Sequence, residues 1–402
     1  MKRMIALLLA AVLLPLHVYA ENSFVFPLFE ASFLQGWLCR DWTEDRFLQE
    51  FRAMKYAGFR SLILQSVVDL THQQTDLSLP KTDPDAYQVT AVHALYPTKI
   101  ADTQNQPHAL EYALQAAEKT GMQIYIGLVS DDLWWNYGWD APDRHFKSWL
   151  ARNTADQGNV ITELAEMYGD KYHDQIAGFY YTNEFWNVPA EYADACAAIC
   201  AEELYGLRVL LAEEFPDKPL IISPFYNQTL GEPEQFGSFL AEIVRLSQLR
   251  DCDILALQDG AGRNYDAETL RIWNDAVCAA CQSMITVWVN NETFDPDGNA
   301  ISADRLRSDY AATGAAQRHI LFSWNHYYHG TAAGDEFSSL MRSMAGDLNN
   351  DYRTDAADAA SLLRWLSGTG SPPENWSAGD ADGSGSLDSA DLTRLKRLLL
   401  SA

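Results

Sequence analysis

The sequence predicts an α/β chain: a (β/α)₈ barrel in front, followed by a small all-α module. Two observations carry the barrel. Short apolar runs alternate with amphipathic helical segments about eight times before residue 345, the count that closes such a barrel. No Gly-rich phosphate loop follows the first strand, so the signature of an open doubly wound sheet is missing. A third observation, two oxygen-rich segments near the C-terminal end, sets the tail apart.

The chain starts with basic Met1-Lys2-Arg3, an apolar run from Ile5 to Leu16 and Val18-Tyr19-Ala20 before Glu21, the pattern of a secretory signal peptide over residues 1–20. A secreted, extracellular protein is expected, and no later apolar run is long enough to span a bilayer. The 402 residues, 48% hydrophobic, suit a barrel over 21–345 and a small domain over 346–402. A net charge of −26 excludes nucleic acid and anionic membranes as partners, because both need Lys and Arg to neutralise phosphate. Cys196 with Cys200, and Cys278 with Cys281, each fall within one predicted helix. Neighbouring turns seldom give disulfide geometry, so these read as buried thiols.

In chain order, Phe33 to Leu38 reads as strand one, and Asp41-Trp42-Thr43-Glu44 opens a helix to Ala57 with Gly58 as its stop. Phe59 to Gln65 is strand two. A long polar loop with Pro80, Pro84 and Pro97 follows, at a length that suggests a functional rim. The helix from Pro107 to Lys119 leads to strand three, Met122 to Val129. That strand opens into Trp134-Trp135-Asn136-Tyr137-Gly138-Trp139, aromatic faces that suit sugar rings or, equally, a satellite core under the loop.

A helix from Asp143 to Tyr168 precedes strand four, Gly178-Phe179-Tyr180-Tyr181, which stops on Thr182-Asn183-Glu184-Phe185-Trp186. Lys218 to Pro224 is strand five, ending in Phe225-Tyr226, with a helix from Pro233 to Leu249. Asp253 to Gln258 is strand six, ending in Asp259-Gly260, with a helix from Ala267 to Cys281. Met284 to Val289 is strand seven, running into Asn290-Asn291-Glu292. After a helix from Ala303 to Ala315, His319 to Trp324 is strand eight, with a last helix from Asp335 to Ala345.

Chemistry in such a barrel sits where the strands end, so Glu184 and Glu292 face one mouth although far apart in sequence. Alone, a strand-end Glu is as readily a cap or an ion-pair partner. As a pair across a cleft, the two match glycoside hydrolysis, one protonating the leaving oxygen and the other either attacking the sugar carbon or activating water. A retaining pair stands about 5 to 5.5 Å apart and an inverting pair about 6.5 to 9.5 Å. Asp259 reads either as a third mouth carboxylate or as a turn former before Gly260.

Asn183-Glu184 ending strand four and Glu292 ending strand seven resemble the clan A glycoside hydrolases, with Trp324 at the position of the clan's sugar-platform tryptophan. The combination of Trp37 before Asp41-Trp42, Gln258-Asp259-Gly260 and Asn291-Glu292-Thr293-Phe294 resembles a family of glycosidase-like barrels classed as a domain of unknown function. Gln65, Gln258 and Phe185 stand where the clan often has Arg, His or Tyr, and Pro. The resemblance implies Glu184 as acid/base, Glu292 as nucleophile and a glycan substrate. Candidate substrate contacts are Trp37, Asn183, Asp259, Trp134, Trp135, Trp139, Trp186, Tyr226 and Trp324. A non-catalytic glycan-binding barrel is the alternative.

In the tail, Asp347, Asn349, Asp351, Arg353, Asp355 and Asp358 occupy positions 1, 3, 5, 7, 9 and 12 of a calcium loop, Arg353 through its backbone oxygen. Asp380, Asp382, Ser384, Ser386, Asp388 and Asp391 repeat the arrangement 33 residues later. Each loop precedes an apolar helical run, and each ends on Asp rather than Glu. This duplicated loop and helix resembles a type I dockerin, which implies two calcium ions and docking onto a cohesin of a cellulosome scaffold. The resemblance implies cohesin contacts from Ala356, Ala357 and Arg364 in one copy and Ser389, Ala390, Lys396 and Arg397 in the other.

Overall fold

The structure, a computed structural model, describes residues 29–81, 83–100, 107–136, 144–344, 346–349, 354–373, 375–381 and 386–401. The expected signal peptide, Trp139, Asp351, Arg353, Asp382 and Ser384 lie outside the described residues.

Eight parallel strands close the barrel: β1 (Ala31–Leu34), β2 (Ser61–Leu64), β5 (Gln123–Gly127), β7 (Ile176–Tyr180), β8 (Leu220–Ile222), β9 (Ile254–Gln258), β10 (Thr286–Glu292) and β11 (Arg318–Phe322). Their order round the barrel is β1, β11, β10, β9, β8, β7, β5, β2. Ala31, Phe33, Ile63, Tyr125, Tyr180, Ile221, Ile254, Ala256, Trp288 and Ile320 fill the interior. The outward-facing residues of the same strands pack on the helices, each fully buried aliphatic side chain contributing ~1.5–3 kcal/mol.

Local chemistry sets the helix limits. Thr43 caps the helix Glu44–Ala57 by accepting from the Arg46 amide, and Gly58 closes it in the left-handed region at φ 106°. Asp266 and Ser302 cap Ala267–Cys281 and Ala303–Ala312 in the same way. Cys196 and Cys200 are buried on Ala193–Glu214, Cys278 and Cys281 on Ala267–Cys281, all as free thiols. No helix among the described residues is long and apolar enough to cross a membrane.

Two expectations need correction. Strand one stops at Leu34, and Gly36–Cys39 forms a helical turn instead, its Arg40 amide bonding to the Gly36 oxygen at 2.9 Å. The long polar loop holds a second sheet in which β3 (Val68–Gln74) pairs antiparallel with β4 (Tyr87–Ala94) and parallel with β6 (Val129–Asp131). Leu128 alone separates β5 from β6, so the barrel's third strand runs on into this rim.

Candidate active site

The two-residue period of a strand decides which side chains reach the mouth. Tyr180 points into the barrel, and Glu184 continues that inward side. Asn183 turns outward instead, donating to Asn153 Oδ1 at 2.8 Å and to the Tyr181 hydroxyl at 3.1 Å among the helices. On β10, Trp288 is inward, so Asn290 and Glu292 follow it, while Asn291 turns outward. Asn291 donates to Asp259 Oδ2 at 2.8 Å, and its Oδ1 meets His319 Nδ1 at 2.7 Å.

Glu292 is held by main chain. The Gly262 amide donates to its Oε2 at 2.7 Å, and a Cβ at residue 262 would sit 2.6 Å from the Phe294 ring and 3.0 Å from that oxygen. Only glycine lets the backbone approach so closely. Burial pushes the Glu292 carboxyl up to about 7, against the pull of the Gly262 amide, the Arg263 charge and the Gly260 amide. Burial pushes Glu184 up to about 7 as well; a hydrogen bond from Gln258 opposes it and the negative charge of Glu292 adds to it. The Glu184 carboxyl therefore senses the charge of Glu292.

Asp259 does not enter the mouth. It follows inward Ala256 and Gln258 on the opposite side of the strand, is 1% exposed, and accepts from the Ala261 amide at 3.0 Å and the Glu292 amide at 3.2 Å. Its place is behind Glu292, fixing the backbone that carries it.

The aromatic candidates divide. Trp135 is 61% exposed and lies parallel to Trp186 at 6.2 Å, and Trp186 stacks in turn on Phe225 at 5.1 Å. Trp37 is 55% exposed, edge-on to His326. Trp134 is buried against Phe146 and Trp149, Tyr226 against Trp273 and Tyr265, and Trp324 against His329 and Phe59. These three, with Asn183 and Asp259, support the mouth from behind. Sequence reasoning missed Gln258 as a partner of Glu184, and Gly262 and Tyr327 beside Glu292; the negative charge of Glu292 raises the Tyr327 hydroxyl further after burial. Alternation from Ala256 was the available signal for Gln258.

In the tail, Asp358 and Asp391 are fully buried. Asp358 accepts from the Leu348 and Asp355 amides, both at 2.8 Å, and Asp391 from the Ala381 and Asp388 amides at 2.7 and 2.8 Å. One bonding pattern thus occurs twice. Asp347 is buried beside Asn349, and every described side-chain donor expected in the two loops is a hard oxygen, the set that fits calcium. Ala356, Ala357, Arg364, Ser389, Ala390, Lys396 and Arg397 are all exposed.

The domain of unknown function DUF4434 matches residues 30–333, and the dockerin type I domain matches residues 345–400. Type I dockerin domains bind calcium, and a dockerin implies a cohesin partner. No curated protein matches the chain. Among solved structures, a candidate α-L-fucosidase from Bacteroides thetaiotaomicron is similar in fold, with a TM-score of 0.59 and 20% identity over 82% of this chain and 96% of that one. A β-mannanase from the blue mussel Mytilus edulis is also matched, at a TM-score of 0.44 and 11% identity over 81% of this chain and 93% of that one. The inward strand-end glutamates sit in a barrel of glycosidase-like fold, and the chain belongs to the DUF4434 family, with a type I dockerin domain behind it.

Proposed function

We propose that the chain is a secreted, scaffold-docked glycoside hydrolase with Glu184 as acid/base and Glu292 as nucleophile. The observation that carries this reading is the pair itself: Glu184 just beyond β7 and Glu292 at the end of β10, each raised to about 7 by burial, with the charge of Glu292 acting on Glu184. In the first step the Glu292 carboxylate bonds to the anomeric carbon while the glycosidic C–O bond breaks and Glu184 gives its proton to the leaving oxygen. In the second, Glu184 takes a proton from water as that water's oxygen bonds to the anomeric carbon and releases Glu292. The product keeps its anomeric configuration. Trp135, Trp186 and Trp37 present apolar faces and edges to the sugar.

The test uses aryl glycosides of varied leaving group. Glu292→Gln should abolish turnover, and Glu184→Gln should slow substrates with poor leaving groups most. Full activity in Glu292→Gln would end this reading. A glycan-binding role without hydrolysis is the second reading, favoured by the outward turn of Asn183 and the burial of Trp324. It predicts binding that neither Gln variant changes.

On the tail we propose two calcium ions, one per loop, with Asp347, Asn349, Asp355 and Asp358 holding the first and Asp380, Ser386, Asp388 and Asp391 the second. The exposed cohesin-facing residues then dock the enzyme to an extracellular scaffold.

A further inference from the structure

Two buried side-chain acceptors near the strand ends have no hydrogen-bond partner among the described residues. Asn290 is 3% exposed and its Oδ1 bonds to no group among the described residues; the same holds for Oε1 of Gln35, 4% exposed. Both continue inward series. Asn290 stands between inward Trp288 and Glu292 on β10. Gln35 follows Ala31 and Phe33 at the end of β1, and both strands pair with β11. The strands are parallel, so both amides stand at the catalytic end of the barrel.

The orientation of Asn290 is fixed by its neighbours. Ser223 Oγ has a single hydrogen and gives it to the Ala256 carbonyl at 2.8 Å, so toward Asn290 it must accept. The group 3.3 Å away is therefore the Asn290 amide nitrogen, which leaves Oδ1 as the free atom. Gln258 closes the same corner, donating to the Ser223 carbonyl at 3.0 Å and to Glu184. A buried acceptor without a donor is costly, and a ligand hydroxyl supplies what it lacks.

Charge narrows the ligand. Among the described residues, no cation acts on Glu184, and the one acting on Glu292 is exposed Arg263. A sugar carboxylate would bring acceptors and negative charge to two glutamates and two amide oxygens, with no buried cation among the described residues acting on either glutamate to pair it; the indole Nε1 groups of Trp288 and Trp324, buried donors without a partner among those residues, carry no charge.

We propose that Gln35 and Asn290 line a glycone subsite that takes an uncharged, hydroxyl-bearing sugar ring and rejects uronic acids. This rests on the catalytic reading of Glu184 and Glu292, and its failure is separable from theirs.

The experiment titrates the full calcium-loaded chain with neutral iminosugars of gluco, galacto and manno configuration, each beside its C6-carboxylate counterpart. At least one neutral member should bind, with its carboxylate at least about tenfold weaker. Gln35→Leu and Asn290→Leu should each weaken that neutral ligand about tenfold while leaving Tm unchanged or raised, because an unpaired acceptor has been replaced by an apolar group. Equal or tighter binding of a carboxylate overturns the subsite, as do Leu variants of undiminished affinity, or no binding in either series. The wild-type comparison stands even where a Leu variant fails to fold. Neutral binding without hydrolysis of any aryl glycoside supports the subsite and removes the catalytic reading alone. Glu292-dependent hydrolysis of a hexuronide removes the subsite alone.

Discussion

The indole Nε1 of Trp134 donates to the main-chain oxygen of Glu184 at 2.9 Å. A buried ring on the rim thereby fixes where the Glu184 backbone lies. Its neighbour Trp135 is exposed and stacks on Trp186. Trp134→Phe should cost ~1 kcal/mol of stability and lower kcat, because the carbonyl loses its donor. Trp135→Ala should leave Tm alone and weaken oligosaccharide binding by ~1 kcal/mol. Thermal melts with glycan titrations separate the two; a large Tm loss in Trp135→Ala would contradict the assignment.

Protonation of the pair has a readable signature. Glu184 and Glu292 are raised in the folded state from 4.5 to about 7, so between those values the folded protein binds more protons than the unfolded chain. Stability then falls as pH rises from about 4.5 to about 7. Glu184→Gln and Glu292→Gln should each raise stability at pH 8 by ~1 kcal/mol or more and change little at pH 4. Activity should follow a narrow bell near pH 7, set by the raised Glu184 and Glu292. A broad plateau from pH 4 to 9 would contradict the shifts.

Asp259 holds Glu292 through its amide and meets the outward side chain of Asn291. Asp259→Ala takes the carboxylate acceptor from the Glu292 amide and leaves Asn291 Nδ2 only the Thr313 hydroxyl at 3.4 Å, at a cost of ~1–3 kcal/mol for a donor left unpaired. A lower kcat with little change in KM is expected, since the residue touches the backbone of the nucleophile and not the sugar. A raised KM with an unaltered kcat would place it in the substrate site after all.

For the tail, the buried Asp358 and Asp391 predict folding linked to metal. Chelation should melt residues 346–402, abolish cohesin binding and spare barrel activity on soluble substrates. Asp391→Ala should halve the calcium stoichiometry measured by calorimetry. Tight cohesin binding in excess chelator would refute the linkage.

Most of the barrel was legible because its strands are apolar runs buried on both sides, such as Ile254–Gln258, and its helices have plain stops, such as Gly58. The sheet of β3, β4 and β6 was hidden for the opposite reason. Val68–Gln74 and Tyr87–Ala94 are half-exposed and rich in Thr, His and Gln, so composition marks them as loop. Within the site, the sequence showed which strand each residue ends, and a single residue of phase decided the rest. Glu184 and Glu292 face in, while Asn183, Asn291 and Asp259 face out, and no residue type announces that phase.

The close approach at Gly262 carries over from one molecule to its relatives. Any side chain there would strike the Phe294 ring and strip Glu292 of its amide, so this position tolerates no drift while hydrolysis is under selection. Relatives that keep a glycine at the position of Gly262 beside a glutamate at that of Glu292 should be sorted with the hydrolases. On the proposed hydrolytic reading, those that keep the barrel but have lost that glycine should fail to cleave the same aryl glycosides, and expressing one of each sort would show where the family divides.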